Sequence, residues 1–98
     1  KTLAPKNTSE IKIFAENTSW IQLRDIRENR VILSKVLLKG QSYKVPNEQH
    51  LSLMTGNAGA LEITVNGEAV PKIGKLGEVR REVLLEVESL KLGRAVVE

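Results

Sequence analysis

Residues 51–70, LSLMTGNAGALEITVNGEAV, carry two turn signals and three short strand candidates. Leu61, Ile63 and Val65 alternate with Glu62, Thr64 and Asn66, the period of two shown by a strand with one buried face. Asn66-Gly67 follows, and a two-residue type I′ hairpin needs two residues that accept positive φ. Upstream, Gly56-Asn57-Ala58-Gly59 is able to reverse or bulge the backbone between Leu51–Thr55 and residues 60–65, because glycine and asparagine adopt turn conformations at low cost. The stretch sets the class as antiparallel β. Its turn residues are Gly56, Asn57, Gly59, Asn66 and Gly67.

Working outward, Ile11–Ala15 reads as a strand with Ile11, Ile13 and Ala15 on one face. Residues 19–26, SWIQLRDI, form the next, with Ile21 and Leu23 on one side and Trp20, Gln22 and Arg24 on the other. A charged hairpin loop follows, with Asn29 suited to left-handed backbone. Residues 31–39, VILSKVLLK, break strict alternation at Val36-Leu37-Leu38, which predicts a bulge there or burial on both sides. Residues 41–45 and 68–70 read as further short strands. Residues 78–92 are ambiguous: Val79, Val83, Leu85 and Val87 fit a strand, whereas Val79, Val83, Val87 and Leu90 recur at helical spacing.

About seven short strands joined by turns predict an all-β fold, an antiparallel β-sandwich of immunoglobulin-like or jelly-roll-like kind. Residues 1–10 read as a linker or N-terminal extension, 11–92 as the sandwich domain and 93–98 as a flexible tail. With 98 residues the chain makes one domain. Its 7 Ile, 10 Val and 13 Leu, against one Trp, one Tyr and one Phe, require an aliphatic core. Each such side chain contributes roughly 2 kcal/mol when buried, so neither metal nor disulfide is needed. The absence of cysteine excludes a disulfide scaffold and leaves the compartment open. No apolar run approaches the length that spans a bilayer. A chain beginning at Lys1 rather than Met reads as a piece of a longer protein, with any membrane anchor upstream.

The formal net charge of +3 comes from interleaved signs, as in Arg24-Asp25, Arg27-Glu28 and Arg80-Arg81-Glu82. Nucleic-acid binding needs clustered cations and stacking aromatics, so it is not expected. Nor is catalysis. The one histidine, His50, sits in a polar loop, and no serine lies in a nucleophile-elbow pattern. Asp25 is the only Asp, which with one His and no Cys leaves no metal-binding spacing. No phosphate-cradling glycine pattern occurs, and no cofactor is expected. Glu62 and Glu86 could approach across strands as a carboxylate pair, but solvent-facing strand charges are the plainer reading.

Trp20 is the residue with a functional claim. A lone large aromatic in an aliphatic domain is ordinarily part-buried, closing the core or packing under a loop. The alternative sets Trp20, Gln22 and Arg24 on the solvent face, where Trp beside Arg makes a recognition hot spot. Glycan binding through Trp20 or Tyr43 is a further possibility. It calls for several coplanar aromatics, and the chain has three aromatics in all.

Ser19-Trp20-Ile21-Gln22-Leu23-Arg24-Asp25, then Leu37-Leu38-Lys39-Gly40, then Gly56-Asn57-Ala58-Gly59-Ala60, then Val65-Asn66-Gly67 and Val70 occur in an order and spacing similar to the C-terminal domain of RodZ, a bacterial cell-shape protein. The resemblance covers roughly residues 10–92 and favours strand up to about Glu88. It implies a larger protein with a cytoplasmic helix-turn-helix domain that binds the MreB filament, a single transmembrane helix and a linker. This domain would be periplasmic, outside the inner membrane. Its partners would be proteins of the peptidoglycan elongation complex, coupling the cytoskeleton to cell-wall synthesis. The family brings no catalytic residues. Asn29 stands where its hairpin would have Gly, which bears on the turn's geometry.

Overall fold

The computed structural model describes residues 10–46, 48 and 50–98. The linker expected over residues 1–10 lies outside these except for Glu10. Eight strands form two antiparallel four-stranded sheets. They are β1 (Ile11–Ala15), β2 (Ser19–Asp25), β3 (Arg30–Leu37), β4 (Ser42–Lys44), β5 (Leu51–Thr55), β6 (Leu61–Val65), β7 (Glu68–Ala69) and β8 (Arg80–Leu84). One sheet has the order β4-β1-β6-β7 and the other β3-β2-β5-β8. The all-β sandwich read from the sequence is the fold observed. Between the sheets lie Ile13, Ile21, Leu23, Leu37, Leu53 and Leu61, all essentially inaccessible to solvent. The interior is aliphatic, as the composition demands.

Local chemistry accounts for the hairpins. Asn66 (φ 53°) and Gly67 (φ 86°) both take left-handed backbone between β6 and β7, the arrangement a type I′ turn requires. Asn29, at φ 54°, does so in the β2–β3 loop; asparagine is among the few residues that accept this conformation, so the hairpin closes without glycine.

The irregularity expected at Val36–Leu38 lies elsewhere. Leu23 pairs with Leu33 and Arg24 with Val31, so the ladder skips Ile32, while Trp20–Val36 and Ser19–Leu37 pair regularly. Val36 and Leu38 are half exposed on either side of buried Leu37, so the apolar run does not mark burial on both faces.

Residues 78–92 split. β8 ends at Leu84, and a short helix, α1 (Val87–Lys91), takes the rest. Strand up to Glu88 is thus an overestimate. The helical turn brings Val87 and Leu90 together onto the core, and Leu90 N–H reaches the Glu86 carbonyl at 2.9 Å. Residues 93–98, expected as a flexible tail, turn at Gly93 (φ 71°) and return antiparallel beside β8. Val96 bridges Val83, Leu84 N–H donates to the Ala95 carbonyl at 2.8 Å, and Val97 N–H donates to that of Glu82 at 2.8 Å. This pairing covers the open edge of β8, which is what keeps the segment in place.

The GNAG stretch does not join hairpin neighbours. It carries the chain from β5 in one sheet to β6 in the other through a 3₁₀ turn at Ala58–Ala60. An irregular strap, residues 71–79, docks against it. Ala58 N–H donates to the Glu78 carbonyl at 2.8 Å and Gly59 N–H to that of Lys75 at 2.9 Å. Asn57 Oδ1 accepts the Gly77 N–H at 2.6 Å. Glu78 holds the strap from within: its Oε1 accepts Lys75 N–H at 2.7 Å and pairs with Arg80 at 3.3 Å.

Candidate partner-binding face

The outward surface of the β3-β2-β5-β8 sheet follows from strand parity. Ile21 and Leu23 point into the core, so Trp20, Gln22 and Arg24 share the outward side; the sequence places the three on one side of the strand, with a part-buried Trp20 as the favoured reading and the solvent face as the alternative. Cross-strand pairing then sets Val36 beside Trp20, Ser34 and Met54 on either side of Gln22, and Val31 and Ser52 on either side of Arg24. Leu84 lies beyond Ser52. Trp20 is 36% exposed and Val36 50%. The indole stands outside the buried core, beside Val36 on the outward side of the sheet. The neighbouring strand residues of the face, Val31, Val36 and Met54, are not evident from the β2 pattern alone.

The base of this face is tied by hydrogen bonds. Beneath Trp20, Ser19 Oγ and Thr55 Oγ1 share a buried hydrogen bond of 2.7 Å, and Gly56 N–H donates to the Trp20 carbonyl at 3.1 Å. Arg24 Nη2 donates to Asn29 Oδ1, which directs the guanidinium toward the hairpin loop. In that loop Asp25 Oδ1 accepts the N–H groups of Arg27 at 2.9 Å and Glu28 at 3.0 Å.

The Glu28 N–H, followed by that of Arg27 and the charges of Arg30 and Arg27, holds the Asp25 carboxyl below its ordinary value of 3.8 against a desolvation cost. A lowered folded pKa gives a contribution present above the unfolded value and lost as pH falls through the folded one. Carbon-detected titration of Asp25 should therefore give a midpoint below 3.8, with amide exchange of Arg27 and Glu28 quickening beneath it. A midpoint at or above that value would mean the turn bonds do not persist in solution.

The other residues with possible chemistry are scattered. His50 is exposed at φ 66°. Glu62 lies on β6 and Glu86 precedes α1 beyond the opposite sheet, so the two carboxylates do not face each other across neighbouring strands. Among the described residues no group of three or more His, Cys, Asp or Glu could hold a metal, and no helix is long and apolar enough to cross a membrane. A groove of about 180 Å³ between the β6–β7 hairpin and α1, lined by Val65, Val70, Pro71 and Lys91, is smaller than the roughly 300–1,000 Å³ of ligand pockets.

The turn residues divide by role. Asn66 and Gly67 make the hairpin, and Asn57 ties down the strap. Gly59 does not have positive φ. A Cβ there would lie 2.1 Å from the Leu76 nitrogen, so it is close backbone approach that calls for glycine. Gly56 has neither positive φ nor a neighbour within 4 Å of a Cβ.

The model of the RodZ C-terminal domain family matches residues 12–82. The chain belongs to that family. The match runs from β1 into β8, taking in the Trp20 strand, the GNAG turn and the strap, and leaves out α1 and the returning C-terminal segment. Membership makes this a RodZ-type domain of a cell-shape protein, from a family of non-catalytic domains. Comparison with curated proteins and with solved structures gives no further match.

Proposed function

We propose that this RodZ-type domain is the periplasmic part of a single-pass bacterial inner-membrane protein, and that it acts by binding proteins of the peptidoglycan elongation complex. MreB would be engaged by a cytoplasmic domain outside this chain, so that the whole protein couples the cytoskeleton to wall synthesis. One observation supports the binding role above the rest. The core is complete without Trp20, Val36 and Val31, yet all three stand on one outward sheet face next to Arg24. Apolar side chains that contribute little to the interior, beside a guanidinium, have the composition of a protein-recognition centre. Glycan binding has weaker support. Tyr43 is half-buried against the core in the other sheet, so Trp20 has no second aromatic to form a stacking platform.

The double variant Trp20→Ala, Arg24→Glu is expected to keep the parent circular-dichroism spectrum and to weaken capture of elongation-complex proteins about 30-fold, the loss of one hot spot. Unchanged capture by a folded variant would remove this face from the account. Titration with muropeptides, followed by Trp20 fluorescence, should give no shift; a saturable shift would favour the glycan reading instead.

A further inference from the structure

Four sheet edges have to be accounted for, and three are short or covered. β4 has 3 residues and β7 has 2, and the returning segment that ends at Glu98 pairs along β8. The fourth edge is β3, with 8 residues. Among the described residues it pairs with β2 alone. A long edge with free N–H and C=O groups is a template for another extended segment.

Its side chains say what that segment must carry. Parity and register place Val31, Ser34 and Val36 on the outward face, level with Arg24, Gln22 and Trp20. Arg30 and Lys35 pair with Asp25 and Ile21, and so lie on the opposite side of the strand, at the rim between the sheets. No Asp or Glu occurs from Arg30 to Pro46. Among the described residues Lys35 pairs with no carboxylate, while Arg30 pairs with Glu28 at 3.5 Å in solvent and faces Asp25 across the ladder. A second copy of β3 would bring only further cations to this ladder, and like charges across strands are unfavourable. An acidic strand meets no such penalty.

From this edge we propose, resting on the partner-binding reading, that β3 receives an extended segment of an acidic partner protein by antiparallel β-strand addition. The segment alternates. Apolar residues on its outward side extend the Val31–Val36–Trp20 surface, and carboxylates on its other side meet Lys35 and Arg30. Because Ile32 is skipped in the ladder, these two cations sit opposite Ile21 and Asp25, four apart on β2. The carboxylates of an added regular strand are therefore spaced four apart as well.

The test uses the acetylated, amidated heptapeptide Val-Glu-Val-Thr-Val-Glu-Val and its counterpart with Lys at both Glu positions, titrated into the ¹⁵N-labelled chain. The acidic peptide should shift amides of β3 and slow their exchange, leaving β4, β1, β6 and β7 unmoved. Lys35→Glu should weaken its binding about tenfold and admit the lysine peptide; Arg30→Glu provides a second exposed variant with the same expectation. Equal binding of both peptides, shifts centred away from β3, or no binding of the acidic peptide would overturn the proposal. Capture of elongation-complex proteins separates the two claims. If Trp20→Ala lowers capture and Lys35→Glu leaves it unchanged, the face stands and strand addition falls. If neither lowers it, both fall.

Discussion

Replacing Gly59 by Ala is expected to cost about 3 kcal/mol of stability, as overpacking together with loss of the strap's hydrogen bonds, and so to lower Tm by roughly 12–24 °C for a chain of this size. The added Cβ meets the Leu76 nitrogen at 2.1 Å, the Lys75 carbonyl carbon at 2.3 Å and the Leu76 Cα at 2.7 Å. These are backbone atoms, so no rotamer change relieves the overlap. The strap has to move. Moving it strains the bonds from Gly59 N–H to Lys75, from Ala58 N–H to Glu78 and from Gly77 N–H to Asn57. It also disturbs Ile73, which the strap inserts into the core at 4% exposure. Gly56→Ala is the matched control: the site is open and free of positive φ, so the change should stay within about 0.5 kcal/mol. Thermal melts of the two variants decide the matter. A Gly59→Ala curve lying on the parent's would mean that the strap does not press against the 3₁₀ turn in solution.

That contrast also shows where the sequence was legible. Alternation at Leu61, Ile63 and Val65 and at Ile21 and Leu23 assigned the buried faces correctly, because a half-buried strand has a period of two whatever lies beside it. Asn66-Gly67 and Asn29 marked their turns because positive φ is a local demand. The fold class followed from these; the RodZ resemblance rests instead on the order and spacing of the Ser19–Asp25, Leu37–Gly40, Gly56–Ala60 and Val65–Gly67 motifs. The reason for Gly59 was out of reach, because the strap that forbids a side chain there is distant in sequence and carries no periodic pattern. α1 stayed open against strand for a related cause: five residues are too few to outweigh valine's preference for strand, and only tertiary packing of Val87 and Leu90 settles them as a helix. The recognition face shows the same limit. Counting back from the Asp25–Arg30 pair in a regular ladder sets Lys35 opposite Trp20; the skipped Ile32 puts Val36 there instead. One bulge thus decides whether the tryptophan's neighbour is a charge or a methyl-bearing surface.

Leu53→Ala should be the most damaging of the core truncations, at about 2–5 kcal/mol out of a total of about 5–15 kcal/mol for a domain of this size. Leu53 is fully buried on an interior strand, paired with Leu23 on one side and Val83 on the other. Leu53→Met, which keeps the volume, should cost less than about 1.5 kcal/mol. Denaturant unfolding checks both, the midpoint falling and the slope holding if the native surface is unchanged. The pair also gives a control for the binding claims. Leu53→Ala leaves Trp20, Val36 and Arg24 in place, so whatever fraction remains folded should capture partners with undiminished affinity. Capture by that variant should recover on cooling toward the temperature of maximum stability, while the deficit of Trp20→Ala, a lost contact on a stable fold, should persist at every temperature at which the protein is folded. If the Leu53→Ala protein stayed folded yet failed to bind, the outward face would depend on core packing itself, and Trp20 and Arg24 would no longer account for recognition on their own.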